Sequence, residues 1–105
     1  MEIKRIYSEV PEEEQWRLIL QYSFSSNIDK FFASKGITQT DRKVFESISG
    51  SLLQAKEYFD ASKVASIQIA PLLLYYGVCN LLFGIGCLKR GNLIEINDHG
   101  AKIKI

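Results

Sequence analysis

His99 is the sole histidine of the chain and stands beside Asp98. A neighbouring carboxylate raises the basicity of an imidazole, so this pair is the candidate general base for proton transfer near neutral pH. No nucleophile or second acid accompanies it at a spacing that would complete a catalytic set, and a polar turn is the plainer expectation. Cys79 and Cys87 lie eight residues apart, about 12 Å along a helix axis, which is too far for a disulfide. Two thiols and one distant histidine also fail the spacing of a zinc site, so free, small, buried thiols and no metal are expected. Gly84, Ile85 and Gly86 are not followed by the lysine and hydroxyl residue of a phosphate loop, so no nucleotide cofactor is expected either. Tyr75, Tyr76 and Asn80, with Gly77 and Gly84 beside them, are the candidate pocket set. Their expected roles are structural: packed aromatics, and an amide that bridges helices by hydrogen bonding, a role Gln68 shares.

The elements that must position these residues follow from the patterning. A short strand is expected at 3–7. Pro11 followed by Glu12, Glu13 and Glu14 predicts a helix start, because proline suits a first turn and carboxylates favour the positive end of the helix dipole. Trp16, Ile19, Leu20 and Phe24 mark its apolar side. Ser25, Ser26 and Asn27 interrupt the pattern before Ile28, Phe31 and Phe32, and Gly36 is placed to end a second helix. From Thr40 onward Phe45, Ile48, Leu52, Ala55 and Phe59 recur at helical spacing, with charges elsewhere around the axis. The tail alternates Ile94 and Ile96 with Glu95, then Ile103 and Ile105 with Lys102 and Lys104. This is the pattern of a β-hairpin turning at Asn97 to Gly100.

Between the amphipathic helix and the tail lies a run, 64–88, without a charged residue, bounded by Lys63 and Lys89. About 20 apolar residues cross a bilayer, so the run is either a membrane span or a core helix starting near Pro71. Gln68, Asn80, three glycines and central tyrosines weigh against lipid. Length and flanking charge weigh for it, and composition alone leaves both open. Ala70, Gly77 and Gly84, spaced by sevens, form a stripe on which another helix can approach closely. The formal net charge of +1 with scattered basic residues gives no footprint for nucleic acid. The amino terminus lacks the basic start and apolar stretch of a signal peptide, so a cytoplasmic location is expected.

Tyr58 and Phe59, the block IAPLLLYYG at 69–77, Leu81, Leu82, Gly84, and the His99 and Gly100 pair together resemble the bacterial YaaC-like family. WRLILQYSF near the start extends the likeness over most of the chain. Members are soluble, helix-rich and of unassigned biochemistry, so the resemblance implies a run buried in protein. They also continue well beyond the histidine and glycine, which implies a truncated or split form of the domain. The fold is similar in outline to helical HEPN nucleases, but Arg90 precedes His99 by nine residues where that family's signature uses four to six. The expected fold is mainly α: a helical bundle around a buried central helix at about 69–88 with a C-terminal β-hairpin at about 92–105, in one domain over 1–105. The expected function is a non-catalytic interaction or assembly subunit of a bacterial cytosolic complex, of defence or regulatory type. Lys102, Ile103, Lys104 and Ile105 are its expected contact with a second copy or another subunit. The alternatives are a HEPN-like nuclease or hydrolase subunit using His99, and a small single-span membrane protein.

Overall fold

The computed structural model describes residues 11–96 and 103–104. The strand expected at 3–7 lies outside these residues, as do Asp98, His99, Lys102 and Ile105.

The fold is mainly helical. Helix α1 is Glu12–Leu20, followed by a 3-10 turn at Gln21–Ser23; α2 is Ser25–Ser34, α3 is Arg42–Val64 and α4 is Ala70–Arg90. Pro11 opens α1 in an extended conformation, and its carbonyl accepts from the Glu14 and Gln15 amides; three glutamates fill the first turn. Trp16 is the buried residue of α1, its ring tilted 56° against that of Phe59 with centroids 5.3 Å apart, and the Lys56 ammonium lies 5.7 Å over its ring. Phe24, expected on the apolar side of α1, instead caps α2 in an extended conformation and is 64% exposed. The intervening 3-10 turn accounts for this by breaking the helical register before Phe24 is reached.

Asp41 caps α3 by accepting from the Lys43 amide at 2.9 Å. Four residues of α3, Val44, Ile48, Leu52 and Ala55, are no more than 1% exposed. Val44, Ile48 and Leu52 meet Ile28 and Phe32 of α2, Cys87 and Leu88 of α4, and Ile94 in one cluster. Helix α3 is therefore the centre of the fold, touched by α1, the 3-10 turn and α2 as well as by α4.

This corrects the expectation of a buried central helix at about 69–88. Helix α4 covers those residues, but only 28% of its most apolar stretch is buried, because it packs along α3 and no other element crosses it extensively. The hairpin expected at about 92–105 is likewise not established. What the described residues contain is a two-residue antiparallel ladder, β1 (Glu95–Ile96) with β2 (Ile103–Lys104), pairing Glu95 with Lys104 and Ile96 with Ile103.

Two helix ends rest on glycines with positive φ: Gly36 at 71° after α2 and Gly91 at 76° after α4. The Gly91 carbonyl also accepts from the Gln39 side chain at 2.9 Å, tying the end of α4 to the entry of α3. The left-handed conformation costs a non-glycine residue roughly 1–2 kcal/mol. A Cβ at Gly36 meets nothing within 4 Å, whereas one at Gly91 lies 2.5 Å from Ile37 Cγ2. Gly36→Ala is thus expected to destabilise by about 1 kcal/mol, and Gly91→Ala by about 2–4 kcal/mol once overpacking is added. Urea midpoints of the two variants check the ordering.

Candidate interaction surface

Helix α4 runs antiparallel to α3, and the contact rests on its small residues. A Cβ at Gly77 lies 3.1 Å from the Phe59 ring, and one at Gly84 lies 2.8 Å from Leu52 Cδ2. The glycine stripe expected to admit another helix therefore admits α3, and Gly77 and Gly84 are both buried. Proline in the first turn and Gly91 at the end delimit the helix. Its start carries no side-chain cap; the Ser66 backbone carbonyl accepts from the Ile69 and Ala70 amides.

Among the described residues, no element packs over the opposite side of α4. Tyr75 is 48% exposed, Val78 43%, Leu82 46% and Ile85 36%. The expected packing of Tyr75 and Tyr76 inside a core is corrected accordingly: Tyr76 is 43% exposed, with its ring 5.6 Å from that of Tyr58 and 5.8 Å from that of Tyr75. The Tyr75 hydroxyl is held above its ordinary pKa, chiefly by hydrogen bonding with the Cys79 thiol. Asn80 bridges no helices; its Nδ2 donates 2.9 Å to the Tyr76 carbonyl one turn back in the same helix. Gln68 is exposed. Both thiols are free, but only Cys87 is buried, and burial raises its pKa; Cys79 is half-exposed.

No catalytic constellation appears among the described residues. None of their polar or charged side chains is buried, and no group of three metal-ligating side chains comes together. An open groove of about 760 Å³ lies where the start of α2 faces the start of α3. Its charged residues, Asp29, Arg42 and Glu46, are all exposed. Among the tail residues expected to bind a partner, the Ile103 and Lys104 backbone pairs with β1 of the same chain. The feature that sequence reasoning missed is the bare side of α4. Its signal was present as Tyr75, Val78, Leu82 and Ile85, spaced 3 and 4 residues apart, with Gly77 and Gly84 on the reverse side.

A central amphipathic helix with an apolar helix packed along it and short helices buttressing it defines a small, mainly helical domain, with one apolar face that no element covers among the described residues. The profile of the YaaC-like Protein family matches residues 5–103, nearly the whole chain, and the chain belongs to that family. No curated protein and no solved structure matches it.

Proposed function

We propose that the protein is a helical interaction module whose α4 face docks another polypeptide, making it an assembly subunit rather than an enzyme, at work in the cytoplasm. The observation that carries this reading is the size of the bare face. Eight apolar side chains from Ile69 to Ile85 are each 36–48% exposed. With side chains of about 150–200 Å², that is roughly 600 Å² of nearly continuous apolar surface, at or above the largest patch typical of a monomer.

Helix α4 is also long and apolar enough to cross a membrane by length and composition. Its packing argues against that use. Gly77 meets Tyr58 and Phe59 while Gly84 meets Ser51 and Leu52, so Lys56 and Glu57 of α3 lie level with the middle of α4. A spanning α4 would carry them to the bilayer centre, at about 2.5–3.5 kcal/mol per charged residue even on the lenient insertion scale. A polypeptide partner covers the same apolar surface while leaving α3 in water.

Hydroxyl-radical footprinting of protein purified without detergent tests the reading. Tyr75 and Leu82 are expected to be modified several-fold more slowly than their exposure in the isolated chain dictates, with Phe24, 64% exposed and outside α4, as the internal reference. Modification of Tyr75 and Leu82 in proportion to that exposure, or recovery of the protein only with detergent, overturns it.

A further inference from the structure

We infer that the occupant of the α4 face is a second copy of this chain, its α4 packed antiparallel across a two-fold axis near Asn80. The inference rests on the docking reading above and specifies the partner. Six of the ten exposed residues of α4 fall at alternating spacings of four and three: Pro71, Tyr75, Val78, Leu82, Ile85 and Lys89. That is the spacing of a helix-pair seam, and it lies on a different side of the helix from Gly77 and Gly84, which pack on α3.

Three properties of the seam favour self-pairing. The first is layering. In an antiparallel pair, Tyr75 of each copy opposes Ile85 of the other and Val78 opposes Leu82, so large residues face smaller ones and the four central layers are apolar, with Lys89 opposite Pro71 at the two ends. A parallel pair would instead set Tyr75 on Tyr75 and bring Lys89 and Arg90 of both copies together; the antiparallel pair carries these cations to opposite ends. The second is the absence of charge beside the seam. The flanking positions hold Leu72, Leu74, Cys79, Leu81, Gly86 and Leu88, none of them charged. Partner choice between unlike helices is ordinarily set by complementary charges at these positions, and nothing here selects an unlike helix. The third is area: the six exposed apolar residues on the seam and its flanks offer roughly 450 Å² per copy, more than half of the ~800 Å² per partner of a stable interface, and a two-fold axis supplies it twice.

The two-fold axis also brings Cys79 of one copy alongside Cys79 of the other, on the same flank of the seam. A short bis-maleimide is expected to join two chains through Cys79, with Cys79→Ser abolishing the link. Cys87, fully buried, contributes none. Light scattering of the full chain is expected to give twice its 12.0 kDa mass. Leu82→Glu places a carboxylate in two of the four central layers of the seam and is expected to weaken the dimer ~100-fold or more. Its helical circular dichroism should be retained, since Leu82 is 46% exposed in the isolated chain. Leu53→Glu, on an exposed site of α3 away from the seam, should leave the dimer intact.

A dimer indifferent to Leu82→Glu, or one that no thiol reagent links through Cys79, overturns the antiparallel pairing. A single copy whose α4 face is shielded from footprinting by a different polypeptide overturns self-pairing and leaves the docking reading standing. A monomer at high concentration with that face open to modification overturns both.

Discussion

Leu52→Ala is expected to destabilise the chain by about 2–5 kcal/mol, whereas Leu82→Ala should change the stability of the isolated subunit by well under 1 kcal/mol. Both are leucines in long helices, and by sequence Leu82 sits in the more apolar neighbourhood. The difference comes from what surrounds them. Leu52 is 1% exposed, packed with Ile48, Leu88 and the Gly84 backbone at the junction of α3 and α4, so truncation leaves a cavity that neighbouring helices close only in part. Leu82 has water over nearly half its surface, and alanine is at least as good a helix former. Urea denaturation under conditions where the subunit is monomeric, for instance in a Val78→Glu background for both variants, separates folding from association. Equal losses at the two positions would mean that α4 is enclosed by its own chain and that α3 is not the centre of the fold.

That pair of leucines also marks the limit of what the sequence discloses. Helix α3 was legible because its apolar residues keep to one stripe. Ile48, Leu52 and Ala55 were expected inward and are inward, and a stripe flanked by charge states which side faces a core. Pro11, Gly36 and Pro71 were legible too, since they act through local backbone geometry at helix ends. The residues of α4 are apolar on all sides, so the pattern carries no direction. Only the glycines at 77 and 84 distinguish one side, and that side belongs to α3. Reading the whole run as wrapped by its own chain assumed that 105 residues supply helices for every side. Among the described residues α1, the 3-10 turn and α2 all gather on α3, which leaves α3 as the one element packed along the length of α4. The candidate catalytic pair, Asp98 and His99, lies outside the described residues, so its expected chemistry has no geometric counterpart here.

Gly84→Leu is the second substitution with a large expected effect, at about 3 kcal/mol or more of destabilisation, and it acts where the two long helices come closest. A Cβ alone at this position stands 2.8 Å from Leu52 Cδ2, 3.1 Å from Leu52 Cγ and 3.4 Å from Ser51 Cβ. Leucine adds three further carbons to a space already filled by a fully buried side chain, so α4 must lift from α3 or Leu52 must leave its rotamer. The gain in helix propensity over glycine, about 1 kcal/mol, is too small to offset this. Gly50 supplies the control. It also lies inside a long helix, but nothing stands within 4 Å of a Cβ built there, so Gly50→Ala is expected to stabilise by up to about 1 kcal/mol. The two losses are also coupled: trimming Leu52 to alanine in the Gly84→Leu background should cost less than the sum of the single changes, because the new side chain occupies the cavity the old one leaves. Denaturant midpoints for the four proteins of this cycle read the coupling directly. Additive losses would place Gly84 away from Leu52, and with them would fall the side-by-side packing that leaves the other face of α4 bare.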